Sequence, residues 1–487
     1  MKLRIYGTLL PHQIECVEKF DKLKVGANFM DMGTGKTITM LELIRRKSKK
    51  IDKVMWFTPV STIENLKRNI EKLSNFLDYD LIEIIGIESL SQSDRVYLES
   101  LRLLEEYKDV MLIIDESMLV KNFFAKRTNR MIYLSSNCKY RFILNGTPVT
   151  RSIVDIFSQF YLLDKRIIGY SSFFSFANNH FIKDDYGKVV NVLDQEYLMQ
   201  RINPYTYKVK KEDCLELPNR LFDVRYYNMT EAQEEHYEEV KYMFLSTVDD
   251  FDETTIYRLF TALQLVTSGR KVWEEVTGIQ SKKLKSKNFF DKDIDNPRIR
   301  TLLDIVEQEE DKTIVWCKYK HEIDSICKVL SNKFGKDNVC RFDGQVSLKD
   351  RDANIKKFEG DARFLVANKA CGRFGMNLQF CNRLIYYNND FDWGTRSQSL
   401  DRVYRYGQAN KVYVTDICAS YKIDERIMEN LKHKTNLDET FNMNLKKFNK
   451  TDIDKWLDNK LDVGKGRRNA KNRIEQIREG TRDSEAN

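Results

Sequence analysis

Short apolar, β-branched runs recur in two separate series along this chain with helical stretches between them, and this alternation restricts the fold more than any other feature. The first series is "NFM" before a glycine loop, "KVMWFT" at 53–58, "DLIEII" at 80–85, "VMLIID" at 110–115 and "YRFILNG" at 140–146. The second is "KTIVWC" at 312–317, "NVCRF" at 338–342, "RFLVA" at 363–367, "NRLIYY" at 382–387 and "KVYVTDI" at 411–417. Strands that alternate with helices form a parallel sheet covered on both faces, so each run is continuously apolar. The pattern predicts an α/β protein with two parallel-sheet lobes, residues 1–155 and 291–430. A chain of 487 residues needs more than one core, because single cores rarely outgrow about 250 residues.

Between the series the pattern turns helical and aromatic, as in "YSSFFSFANNHF" and "IYRLFTALQLV". Residues 156–290 read as a helical insertion with a strand at "RLFDVRYY". Its aromatics, at helical spacing, are expected in a core rather than against nucleic-acid bases. The polar stretch 281–297 reads as a linker, and 431–487 as a charged C-terminal extension. Five basic residues without an acid fall within 465–473, a pattern that suits either a solvated tail or one that contacts DNA.

Lys and Arg number 81 against 73 Asp and Glu, a formal net charge of +8. Nucleic acid is therefore permitted as a partner but not required. Nine cysteines, without a C-x-x-C pair, and only five histidines argue against a zinc site and for a reducing compartment. No apolar run approaches the ~18 residues of a membrane span. The expected setting is cytoplasmic, without a membrane partner, and the scarcity of Pro (6) with abundant Lys, Asn and Ile suits a phage or bacterial source.

The chemistry begins at "FMDMGTGKTITMLELIRRK". A phosphate-binding loop reads G-x-x-x-x-G-K-[ST], and here Met30 stands where the first glycine belongs, leaving Gly33, Thr34, Gly35, Lys36 and Thr37. Backbone N–H groups and a helix N-terminus would cradle phosphates there. At the end of a later strand, "MLIIDES" offers Asp115 for a magnesium ion and Glu116 to polarise water. In the second series, "QSLDRVYRYGQ" places Arg402 and Arg405 three apart, on one face if helical, as candidate arginine fingers.

Taken in order, "LLPHQIECVEKF", "DMGTGKT", "WFTPVSTIENLKRNI", "LIIDESMLVKN", "LNGTPVTRS", "IVWCKYKHEID", "FDGQVSLKDRDANIKKF", "ANKACGRFGMNL" and "SQSLDRVYRYGQ" resemble the Swi/Snf branch of superfamily-two helicases and translocases over residues 9 to 430. That family's loop also lacks the first glycine. The resemblance implies two RecA-like lobes with ATP and Mg2+ bound between them. It implies that Gln13 reads adenine, Lys36 meets the β- and γ-phosphates, Thr37 and Asp115 hold magnesium, and Glu116 positions water. Gln398, Arg402 and Arg405 would approach from the second lobe, with Gly375 linking that site to DNA. Thr58, Ser61, Lys121, Asn122, Thr147, Gly344, Lys369 and Trp393 fall in segments that line the family's DNA path. Two family histidines are replaced, by Met118 and Tyr404.

The resemblance implies a DNA-dependent ATPase, a helicase or translocase acting as a monomer on forked, branched or duplex DNA in replication, recombination or repair, with proteins of those processes as partners. One alternative is a duplex translocase that displaces bound proteins such as RNA polymerase. Another, of a different class, is a nucleic-acid-binding scaffold switched by ATP.

Overall fold

The computed structural model describes residues 3–146, 154–183, 189–247, 253–277, 281–369, 376–420 and 422–433, together with Asp454 and Leu457. Thr147, Gly375 and the basic run 465–473 lie outside these. Four runs of the first series are strands, and "NFM" begins at the last residue of a fifth: β1 (Val25–Asn28), β2 (Lys53–Thr58), β3 (Ile82–Gly86), β4 (Val110–Ile114) and β5 (Tyr140–Leu144). Next come an antiparallel pair, β6 (Phe181–Lys183) and β7 (Val189–Val192), then β8 (Thr206–Tyr207) and β9 (Arg220–Tyr227). A hairpin follows, β10 (Arg270–Thr277) with β11 (Ser281–Asn288). The second series supplies β12 (Thr313–Cys317), β13 (Val339–Phe342), β14 (Phe364–Asn368), β15 (Arg383–Tyr386) and β16 (Val412–Ala419).

These strands build two six-stranded sheets, ordered β3-β2-β4-β5-β1-β8 and β13-β14-β12-β15-β16-β9. All pairings within both are parallel. Central strands such as Val110–Ile114 and Thr313–Cys317 are buried at every position, because helices cover both faces and leave no wet side. The architecture is that of two RecA-like lobes.

Residues 156–290, expected to form one helical insertion, are instead shared between the lobes. Phe157, Phe160, Phe176, Leu198 and Ile202 complete the apolar layer on one face of the first sheet. Tyr237, Phe244, Leu259, Phe260 and Leu263 complete a layer of the second. The strand expected at "RLFDVRYY" is β9, which extends the second sheet beside β16, and β8 extends the first beside β1. The stretch 281–288, expected within a linker, is a strand of the hairpin. Polar composition hid it, since only one face of that strand is covered. Of the C-terminal extension, Leu457 is buried in the second lobe's core and Asp454 pairs with Lys241 at 3.0 Å.

Arg298 fastens the second lobe. It is buried, donates to Tyr387 O at 2.7 Å and Ile417 O at 2.8 Å, and pairs with Asp424 at 3.0 Å. One guanidinium thus joins the helix Pro297–Glu307, the end of β15, β16 and the helix Ile423–Lys432. Its planar fork is the reason that lysine cannot replace it. Arg298→Met strands Asp424 as a buried unpaired charge and should cost ~3–5 kcal/mol. Urea denaturation of the variant should show this loss, and Arg298→Lys should recover little of it.

Candidate functional site

The loop between β1 and the helix Lys36–Lys47 is shaped by its glycines. Gly33 and Gly35 sit at φ +80° and +92°, where a side chain is strained. A Cβ on Gly35 would also lie 2.2 Å from Gln13 Nε2. Gln13 is held over the loop by donating to Thr34 O at 2.9 Å while its Oε1 accepts from Leu10 N at 2.9 Å. His12 shares the same carbonyl at 2.9 Å. Thr34 Oγ1 closes the turn on Asp31 O at 2.7 Å. The helix itself forms because Met40, Leu41, Leu43 and Ile44 face the core, while Arg45, Arg46 and Lys47 in its last turn favour its negative end.

Met30, the residue in the missing glycine's place, is fully buried, and its carbonyl accepts from Lys36 Nζ at 2.9 Å. Lys36 also donates to Asp31 O at 3.1 Å. Burial pulls its pKa down, against the opposing field of Glu116, Asp115, Asp31 and Asp401. Asp115 follows β4, which β5 separates from β1, so the acids stand one strand farther from the loop than a neighbouring strand would place them. Burial beside Glu116 pushes the Asp115 carboxyl up to about 7. Glu116 adopts a left-handed backbone, φ +51°, and donates its N–H to Asp115 Oδ1 at 3.0 Å. Such strain costs of order 1–3 kcal/mol and concentrates at functional sites.

The second lobe closes the site. A Cβ on Gly33 would lie 2.7 Å from Arg405 Cβ, so the two lobes touch at the loop itself. Arg405 donates to Asn377 at 2.5 Å, and burial next to Arg402 pulls its pKa down to about 10. Arg402 Nε is buried without a hydrogen-bond partner, in the field of Glu116, Asp401 and Asp115. Residues 401–407 are not the helix that their spacing suggested. The helix Trp393–Leu400 ends before them, and Arg402 O is taken by Leu378 N at 3.0 Å, so successive turns carry both arginines to the cleft. Gln398, with Asp31, Met32 and Gly146, lines a cavity of about 470 Å³ between the lobes. Thr37 lies half-exposed in the first turn of the loop helix.

A half-buried lysine and an arginine Nε without a hydrogen-bond partner suit phosphate oxygens, and two crowded carboxylates suit a divalent cation, so these residues fit a magnesium–nucleotide.

The described residues expected along a DNA path lie at or beyond C-terminal strand ends, in unequal states. Ser61 is half-exposed, Asn122 and Gly344 are exposed, and Trp393 borders the cavity. Lys121 pairs with Asp155 at 3.4 Å. Thr58 is buried against Thr62 at 2.7 Å. Lys369 is buried, paired with Asp390 at 3.1 Å and bonded to Asn388 O, so its charge is not presented to a polyanion.

A model of the SNF2-related domain matches residues 12–283, more than half of the chain, and one of the helicase conserved C-terminal domain matches 297–407. The chain belongs to the SNF2-related family. It is 23% identical over 342 residues to the Arabidopsis thaliana Protein CHROMATIN REMODELING 4, an alignment that covers 68% of this chain and 15% of that protein. It is 23% identical over 470 residues to the Danio rerio DNA repair and recombination protein RAD54-like, covering 83% of this chain and 62% of that one. The chain thus spans less than two thirds of either relative. Among solved structures, the Sulfolobus solfataricus SWI2/SNF2 ATPase core in complex with dsDNA matches with 23% identity and a TM-score of 0.38, covering 88% of this chain and 92% of that one.

Sequence reasoning missed Lys211. It lies on the segment that crosses from β8 to β9, is buried, and takes Asp31 Oδ2 on its backbone N–H at 2.9 Å. Its Nζ pairs with Asp401 and donates to Tyr404 O at 2.8 Å. The crossover therefore ties this SNF2-related loop to the arginine segment. Only Asp401, inside the quoted arginine motif, gave a signal. Lys211→Ala should release residues 400–408, seen as faster amide exchange there. It should also lower nucleotide turnover roughly 10²-fold, as misplacement of reacting groups by about 1 Å does, while nucleotide affinity changes little.

Proposed function

We propose that this SNF2-related chain is an ATP-driven DNA translocase that remodels or unwinds forked and branched DNA. The contact of Arg405 with the glycine loop of the other lobe is the observation that carries this reading, since a site completed across a cleft links hydrolysis to lobe movement. Lys36 and the loop N–H groups bind phosphate, Gln13 orients the base, Thr37 and Asp115 hold the ion, and Glu116 directs water. Magnesium, when bound, neutralises charge on the phosphates. Gln398, Arg402 and Arg405 act from the second lobe on charge that develops during transfer.

Phosphate contacts carry no sequence information, so DNA binding should be sequence-tolerant and salt-dependent. The naming of the Danio rerio relative as a repair and recombination protein supports that branch of DNA metabolism. ATPase rates with single-stranded, duplex, forked and four-way DNA and with RNA test the substrate class. Fastest turnover on RNA overturns it.

Glu116→Gln should retain ATP while turnover is lost, because the ion and phosphate contacts survive and water activation does not. Filter binding beside an ATPase assay checks this. Loss of nucleotide binding instead would reverse the assignment of the two acids.

Arg405→Ala should lower turnover by ~10³-fold, the lower end for an arginine finger, with nucleotide affinity within a few-fold of the parent. DNA should no longer stimulate the residual activity, since closure then delivers no cation. A folded variant, checked by its melting curve, with DNA-stimulated turnover near the parent's would refute the split site.

A further inference from the structure

The hairpin β10–β11 belongs to neither sheet, and its two faces differ. One face carries Val272, buried in the second lobe's core, with Leu284 packed beside it and Glu274 paired with Arg258. The register sets Lys271 opposite Lys287, Trp273 opposite Lys285 and Glu275 opposite Lys283 on the other face. All six are exposed, Trp273 by 40%. Four lysines thus face solvent against one glutamate, and that glutamate is shared with Lys285 at 3.2 Å. Same-face residues on a strand recur every ~6.8 Å, so Lys283, Lys285 and Lys287 span roughly 14 Å in a line.

Lysines on an exposed ribbon also deter edge-to-edge pairing, and that role would account for the charges alone. It does not account for the placing of a half-exposed aromatic ring, Trp273, at the centre of the ladder between these lysines. A hollow of about 430 Å³ lies beside this tryptophan, bordered by Lys271, Lys287, Met243, His236 and Glu239, the last paired with His236. An aromatic face among evenly spaced cations is what a nucleic-acid backbone with its sugars and bases can cover. The base of the hairpin is held by Phe289 N donating to Gly269 O at 3.0 Å and Asn296 Nδ2 donating to Ser268 O at 3.0 Å. Ser268 in turn bonds Glu322, just past the C-terminal end of β12. The ribbon is therefore rooted at the same edge of the second sheet as Gly344 and Trp393.

We propose that this hairpin is a second nucleic-acid-binding element, which grips the phosphate backbone of duplex DNA through Lys271, Lys283, Lys285 and Lys287 with Trp273 packed against the sugars or an end base. It rests on the translocase reading only in naming DNA as the occupant. Its contacts are sequence-independent and lie outside the strand-end path, so it acts as a tether that keeps the motor on its track between steps.

The test is equilibrium binding of a labelled random-sequence duplex to the full chain, without nucleotide, across a salt series. The combined variant Lys283→Gln, Lys285→Gln, Lys287→Gln should bind at least tenfold more weakly. The slope of log affinity against log salt should fall by about 0.9 for each phosphate contact removed. Trp273→Ala should weaken binding with the slope unchanged, and the matching triple arginine variant should bind as the parent does. Unchanged affinity and slope in the folded glutamine variant would overturn the proposal. So would a loss confined to phosphatidylserine vesicles, which would make the occupant a membrane surface. Should the glutamine variant not fold, Trp273→Ala decides, and unchanged affinity in that folded variant would overturn the proposal. A parent without DNA-stimulated ATPase activity defeats the motor reading alone, because the hairpin is read by binding.

Discussion

Lys36, Asp115, Glu116, Arg402 and Asp401 occupy one charged cleft to which both lobes contribute. Removing charges from water costs several kcal/mol each unless partners replace the lost hydration. Neither lobe balances that cost by itself: the first brings an acidic pair and one lysine, and the second brings arginines whose own acid, Asp401, is engaged by Lys211. The cleft is consequently a place where approach of the lobes is governed by charge, and where a polyanion with its cation alters the balance. The depressed pKa of Arg405 and the raised pKa of Asp115 are two signs of the same crowding.

Chain topology ties the two lobes together at this cleft. β8 lies beside β1, the strand that delivers the glycine loop, and β9 lies beside β16 at the far edge of the second sheet. The segment between them therefore runs from the loop's neighbour directly to the other lobe, with Lys211 clasping the arginine segment on the way. An exposed ion pair between Arg68 and Asp352, 3.1 Å, also bridges the lobes, but such pairs contribute at most about 1 kcal/mol. The buried clasp is the stronger of the two connections.

Met118 and Tyr404, the positions where the family resemblance leads one to expect histidine, are both held by neighbours. Met118 Sδ accepts from Gln159 Nε2 at 3.4 Å, next to a 2.6 Å bond between Ser117 and Gln159. The ring of Tyr404 lies under the Arg220 guanidinium at 4.4 Å, and its carbonyl takes Lys211.

Local sequence determined the strands and the glycine loop, because apolar β-branched runs and a pair of left-handed glycines leave the chain few alternatives. It also displayed the residue types at the candidate site, a lysine and a hydroxyl in the glycine loop and two carboxylates after a later strand. Tertiary structure alone decided how residues 156–290 are divided: β9 was legible as a strand, but that it extends the second sheet while β8 extends the first follows only from the sheet edges that they complete. It alone ended the helix before Arg402, where Leu378 from another segment captures the carbonyl. Lys211 was beyond sequence reasoning for the same cause: its partners are distant along the chain on either side, and only packing of the two lobes brings Asp31 to its backbone N–H and Asp401 to its ammonium group.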